Sequence, residues 1–154
     1  MGREIRADTF MKYIGYEREE EAERWARNEL GIQKTPDFYR AVSAVDNNGD
    51  FVCVVVMTNF TARNVDLNIV MKCKKVFPKG VVTMFNEVFT LVFGHCRMAR
   101  ATGLISSKNA RSRTIAEKFG FKLEGIMRSA LPDDDVCIYG MLAEDYKTHA
   151  WCRG

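Results

Sequence analysis

The sequence predicts a mixed α/β fold built around one sheet, and three observations predict it. At 154 residues the chain has the length of a single domain spanning 1–154, and with 47% of its residues apolar it can bury a sizeable core. Strand-like segments come first and are followed by a strand–helix–strand–helix–strand order. The strands also differ in kind: one is apolar throughout, and another alternates.

Residues 3–7 read as a short strand. Asp8 and Thr9 offer caps for a short helix over Phe10–Ile14. A second helix is expected from Glu17 to Leu30, with acidic residues in its first turns, Ala22, Trp25, Ala26 and Leu30 on one face, and Gly31 as its stop. Phe38–Asp46 reads as a strand, and Asn47-Asn-Gly-Asp50 is a strong hairpin turn. Phe51–Met57 is a continuous apolar run, as expected of a central strand covered on both faces. In Asn64–Cys73 the apolar Val65, Leu67, Ile69, Met71 and Cys73 alternate with Asp66, Asn68, Val70 and Lys72, giving one apolar and one mostly polar face. Pro78 and Gly80 break the chain before a helix from about Val81 to His95, whose buried stripe is Val81, Phe85, Val88, Phe89 and Val92. Met98–Ser106 is a fifth strand. Asn109 then caps a helix that Gly120 stops. Leu123–Ala130 and Val136–Leu142 form a last hairpin across Leu131-Pro-Asp-Asp-Asp135. No internal repeat, linker or low-complexity tract is present.

A net charge of +3 does not call for nucleic acid, though it suits a small anionic ligand. Arg97, Arg100, Lys108, Arg111, Arg113, Lys118 and Lys122 are basic, but no aromatic–basic recognition motif accompanies them. The five cysteines form no C-x-x-C pair, and Cys53, Cys73 and Cys137 lie in apolar runs, which fits a reducing intracellular compartment. The first residues lack an apolar signal core, and no segment has the length to span a membrane. Met1-Gly2 is not followed by the Ser or Thr that myristoylation uses. His95 and His149 are isolated, so no metal is expected.

The most informative stretch is Asn109-Ala-Arg-Ser-Arg-Thr-Ile-Ala-Glu-Lys-Phe-Gly-Phe121, followed by Lys-Leu-Glu-Gly-Ile-Met-Arg128. The order Asn-x-x-Ser, Glu-Lys-Phe-Gly-Phe, Glu-Gly-x-x-Arg resembles the acyl-CoA-binding half of the GCN5-related N-acetyltransferases (GNAT). Within that superfamily it looks closest to the Rim group, the ribosomal-protein N-terminal acetyltransferases. The compact length is also similar to that of acetyltransferase-like proteins encoded by bacteriophages.

The resemblance implies the acyl-CoA N-acyltransferase fold: a mostly antiparallel sheet with splayed parallel strands 4 and 5 and helices on both faces. It implies acetyl-CoA as cosubstrate and an amine-bearing acceptor, with a protein or peptide amine expected and a polyamine-like or antibiotic amine the alternative. It further implies a cytoplasmic enzyme, host-cytoplasmic if phage-encoded, with no membrane partner and a homodimer as an open assembly. A non-catalytic module that keeps the fold and binds CoA or a protein partner is the rival reading.

By the same resemblance, the strand before the pyrophosphate loop lines the reaction centre. Val70, Met71 and Lys72 would then meet the cosubstrate, with a backbone N–H at the family's strand bulge receiving the oxyanion. Asp66, on that strand's polar face, is the expected proton acceptor, directly or through water. The pyrophosphate would sit on Lys74-Lys-Val-Phe-Pro-Lys-Gly-Val-Val82, where a helix N-terminus offers free N–H groups. This loop departs from the family pattern, since only Gly80 remains of its small residues; Lys75, Lys79, Gly80, Val81 and Val82 are the expected contacts. Asn109 would bond the pantetheine arm besides capping its helix, and Arg111 and Arg113 would reach the adenosine phosphates. Many relatives carry a tyrosine before the Gly-Phe pair to protonate the leaving thiol. Ala116 stands there in this chain, so Ser112 of Asn-x-x-Ser is the expected donor and Tyr139 the reserve. Asp133, Asp134 and Asp135 would overhang the acceptor and either attract its charge or simply form a charged turn. Phe10, Met11, Tyr13 and Trp25 either line the acceptor pocket or pack the helices.

Overall fold

The computed structural model describes residues 11–31, 37–72 and 79–148. Its strands are β1 (Lys12–Gly15), β2 (Arg40–Val45), β3 (Phe51–Thr58), β4 (Asn64–Met71), β5 (Arg100–Ser106), β6 (Lys122–Leu131) and β7 (Asp134–Leu142). Its helices are α1 (Glu19–Leu30), α2 (Lys79–Phe89), α3 (Ala110–Phe119) and α4 (Ala143–Thr148). The strands form one sheet in the order β1-β2-β3-β4-β5-β7-β6. Every neighbouring pair is antiparallel except β4 and β5. Those two pair from Asn64↔Arg100 to Asn68↔Leu104 and then stop, although β4 continues to Met71 and β5 to Ser106. The expected splay between parallel strands 4 and 5 is therefore present.

Side-chain alternation divides the core. Val42, Cys53, Val55, Met57, Leu67, Ile69 and Tyr139 face α2 and α3, which meet through Phe85 stacked on Phe119 at 4.5 Å. Ala41, Val54, Val56 and Val70 face α1, which presents Ala22 and Ala26 and so lies close on the sheet. The continuous apolar run of β3 feeds both layers, as its composition predicts. Three glutamates in the first turn of α1 suit its dipole, and Gly31, at φ 70°, closes its last turn onto the carbonyls of Arg27 and Asn28. Gly120, at φ 106°, closes α3 in the same way.

The structure differs from the sequence reading in three places. Lys12–Gly15 is a strand on the edge of β2, not part of a helix over Phe10–Ile14. So short a segment cannot repay helix nucleation, whereas pairing with Ala44 and Val45 satisfies its backbone. The strand expected at residues 3–7 lies outside the described residues. Helix α2 starts at Lys79, and the chain then continues as a π-helical turn over Thr90–His95. The last hairpin turns on Pro132 and Asp133 alone, with Asp133 at φ 54°, so the strands run further than expected. Cys53 and Cys137 are buried free thiols, as their apolar settings predict. Among the described residues no helix is long and apolar enough to cross a membrane.

Candidate active site

A cleft of about 570 Å³ opens where β4 and β5 part. The end of β4 contributes Val70, Met71 and Lys72, and the head of α3 contributes Asn109 and Arg111. The structure brings these five residues, named together in the sequence reading, to one cleft. The sequence reading missed Glu29 and Leu30 from the end of α1, and Ser106 and Lys108 from the end of β5. Glu29 holds Lys72 in an ion pair of 2.8 Å across the cleft. Lys108 donates to the Asp133 carbonyl at 2.6 Å, which ties the β6–β7 turn to the same rim. One carboxylate and three cationic side chains line the opening. Such a lining suits a polyanion.

The backbone of the cleft follows from register. Strand β3 pairs with β4 one for one, from Thr58↔Asp66 to Cys53↔Met71, and the Lys72 N–H continues the ladder to the Val52 carbonyl at 2.7 Å. The expected bulge is absent from this stretch. In an antiparallel ladder alternate residues turn their backbone groups to the same neighbour. Lys72, Val70 and Asn68 thus bond toward β3, and Ile69 and Met71 turn toward β5. Beyond Asn68↔Leu104 that direction is the open cleft. An oxyanion donor in this stretch is accordingly Met71 N–H, with Ile69 beside it, rather than Val70 or Lys72.

Asn109 caps α3, its Oδ1 accepting from the Ser112 N–H at 3.1 Å. That leaves the amide nitrogen of the same side chain to donate elsewhere. Ser112 itself is fully buried, and among the described residues its Oγ has no hydrogen-bond partner. Arg113 turns inward: its Nε donates to Tyr139 Oη at 3.1 Å, and its Nη1 approaches the Ser107 carbonyl at 3.4 Å.

Several expected site residues lie elsewhere. Asp66 sits in the zipped part of β4 opposite Thr102, about 13 Å along the strand from Val70. Its two oxygens accept from Asn59 at 2.9 Å and Asn64 at 3.0 Å. Tyr139 is wholly buried beneath α3, and its hydroxyl donates to Glu117 at 2.7 Å. Burial raises its pKa, the Arg113 contact opposes this, and the Glu117 bond adds to it. Neither residue reaches the cleft. Gly80 is buried in the first turn of α2, where a Cβ would lie 2.8 Å from the Met11 carbonyl oxygen. Its small size is thus used by a chain crossing. Val81 is buried in the α2-side core, and Val82 packs against the same core. Their backbone N–H groups still lie in the first turn of the helix, where intrahelical partners are lacking. Lys75 lies outside the described residues, as does the side chain of Lys79.

The acidic turn is structural. Asp134 accepts from Ser106 and Ser107, which hold its pKa down at about 2, and Asp135 accepts from the Ser129 N–H at 2.8 Å. Met11 and Tyr13 pack against the α2-side core, and Trp25 lies 5.8 Å from Phe51 under α1. Phe10 lies outside the described residues. Among the described residues no group of three or more metal-ligating side chains converges.

The cofactor-half residues carried a local signature, a capped helix with a spaced motif. Glu29 and Lys108 carry none, because tertiary packing alone brings them to the splay.

A family model described as an acetyltransferase (GNAT) domain matches residues 3–122. No curated protein matches the chain. Among solved structures, spermidine/spermine N-acetyltransferase SpeG from Vibrio cholerae, in complex with manganese ions, is similar at TM-score 0.64 and 13% identity, covering 94% of this chain and 99% of that one. A SpeG chimera with hSSAT matches at TM-score 0.63 and 13% identity, covering 90% and 98%. A dodecameric spermidine N-acetyltransferase from the same organism matches at TM-score 0.63 and 12% identity, covering 91% and 96%.

Proposed function

The chain belongs to the GNAT acetyltransferase family, and we propose that it passes acetyl from acetyl-CoA to an amine of a protein or peptide, both substrates being bound at once. GNAT enzymes use acetyl-CoA, whose thioester supplies an acyl group already activated for transfer. The single observation that carries the reading is the cleft itself, formed by the unpaired ends of β4 and β5 and lined by Lys72, Lys108, Asn109 and Arg111. Those cations suit a diphosphate, and Asn109 keeps a donor for an amide arm.

The work of the residues follows from their chemistry. Met71 N–H is fixed by the sheet and donates to the acyl oxygen without reorganisation. Ser112 Oγ, buried and without a hydrogen-bond partner among the described residues, donates a hydrogen bond to the departing sulfur and relays to it the proton that the amine loses, the role that the Rim-type expectation gives this serine. Glu29 orients the incoming amine and takes up its proton once Lys72 is displaced. Alignment of the two reactants supplies several of the roughly 7–11 kcal/mol that ideal positioning can contribute.

A peptide acceptor is supported by the sheet beside the cleft. Helix α1 packs on β2, β3 and β4, and no described helix covers β5, β7 and β6 on that side. An extended chain can lie along this strip. An α-amine, with a pKa near 8, also needs less help in deprotonation than a lysine near 10.4. A polyamine acceptor is the second reading, favoured by the spermidine acetyltransferases that share the fold.

The test is thiol release from acetyl-CoA with three acceptors: peptides with a free N-terminus, N-blocked lysine peptides, and spermidine. Turnover with peptides is expected. Turnover with spermidine alone selects the polyamine reading. Binding of acetyl-CoA without turnover selects the non-catalytic module, and absence of binding at millimolar acetyl-CoA overturns the proposal.

A further inference from the structure

A second cavity, of about 150 Å³, lies on the α2 side of the sheet, between β1, β2 and the end of α2. Val42 and Val88 form its floor and belong to the α2-side core. Tyr13 and Tyr16 wall it, and Glu87 and His95 stand at its mouth.

Two departures from regular structure assemble these groups. Tyr13 and Tyr16 are three residues apart, and in an unbroken strand they would point to opposite faces. The register of β1 on β2 shifts between Tyr13 and Gly15, and Gly15 takes φ 60°, so both rings reach the same cavity. On the opposite wall the chain leaves α geometry at Thr90, and the Cys96 N–H bonds to the Leu91 carbonyl at 2.8 Å. Such π-turns recur at functional sites. Here the turn carries His95 to the rim occupied by Glu87.

Among the described residues, no hydrogen bond or ion pair engages the side chains of Tyr13, Glu87 or His95. Glu87 nevertheless acts on the tyrosines. Burial first, and the Glu87 carboxylate second, push the Tyr13 phenol up to about 12. Arg40 lies 4.1 Å over the Tyr16 ring, but its Nε is held by Glu19 at 2.9 Å. No lysine or arginine is among the lining residues, and His95 is the basic side chain that shares the rim with Glu87.

We propose that this cavity binds a small organic ammonium ion, with Glu87 as its counter-charge and the rings of Tyr13 and Tyr16 as its walls. Aromatic faces attract a cation and a carboxylate fixes it, while an anion would meet the like charge of Glu87. The volume admits an ammonium head with a few methylenes. The inference does not depend on the acceptor of the transfer reaction, since the two cavities share no lining residue.

Titration of the full chain with 1,4-diaminobutane, followed by calorimetry and by amide chemical shifts, tests the proposal. Butane-1,4-diol serves as the uncharged match. Saturable diamine binding is expected, with shifts centred on β1 and Thr90–His95. Glu87→Gln should weaken it about tenfold, and Tyr16→Leu several-fold. The diol binding as tightly as the diamine overturns the proposal. So does an unchanged affinity in Glu87→Gln, or a set of shifts centred on Val70–Lys72.

Discussion

Ser112 carries a hydroxyl that is buried and, among the described residues, bonded to nothing. An unsatisfied buried group of this kind destabilises a fold by about 1–3 kcal/mol. Ser112→Ala should therefore leave the melting temperature unchanged or higher, while turnover falls about a hundredfold and acetyl-CoA affinity is kept. Thermal unfolding and steady-state kinetics on one preparation read both. Unchanged turnover would remove Ser112 from the chemistry. Tyr139→Phe is the contrasting case: it breaks a buried bond to Glu117, so stability should drop by about 1–3 kcal/mol with turnover per folded molecule intact. Gly80→Ala places a carbon against a backbone carbonyl, and unfolding experiments should show a loss of about 1–3 kcal/mol.

Elements defined by their own sequence were the legible ones. Helix α3 runs from its Asn109 cap to Gly120 as read, because both signals are local. Strand β4 alternates as read, although Val70, on the nominally polar face, is buried under α1. Strand β1 was not legible, since its identity comes from β2, some thirty residues further along, and its five-residue window looks the same in either state. The acidic turn between β6 and β7 was read either as a lure for cations or as a plain charged turn, and it acts as a clasp within the fold: Ser106 and Ser107 grip Asp134. Those hydrogen bonds lower the Asp134 pKa from 3.8 to about 2. A depressed carboxylate contributes stability that is present above the unfolded value and is lost as pH falls through the folded one. Wild-type protein should accordingly lose stability between about pH 4 and pH 2, and Asp134→Asn should flatten that slope in acid denaturation monitored by circular dichroism. Equal slopes would mean that the clasp does not stabilise the fold.

At the scale of the molecule, the donor side and the putting-together of the acceptor side differ in how far sequence reached. The donor cleft was anticipated through Asn109, Arg111 and the end of β4. The α1 contribution was not, because Glu29 meets Lys72 only after the sheet has formed. A ligand that binds only the folded state stabilises it by about 2.7 kcal/mol at a hundredfold excess over Kd. Acetyl-CoA should raise the melting temperature on that scale, and the shift should shrink between 50 mM and 500 mM salt as the Lys72, Lys108 and Arg111 lining is screened. A shift insensitive to salt would point to a binding mode without phosphate contacts.

Among the described residues, strand β6 ends the sheet with one side unpaired, and Leu123, Ile126 and Met127 stand 48%, 55% and 42% exposed along it. A long greasy border of this kind recruits foreign strands unless something spoils its straightness. Ser129, held at φ 57° within the register shift between Met127 and Leu131, is the spoiler. Replacing it with valine, which resists that backbone angle and favours extension, should straighten the ribbon and turn dispersed molecules into sheet-joined assemblies, visible as faster sedimentation.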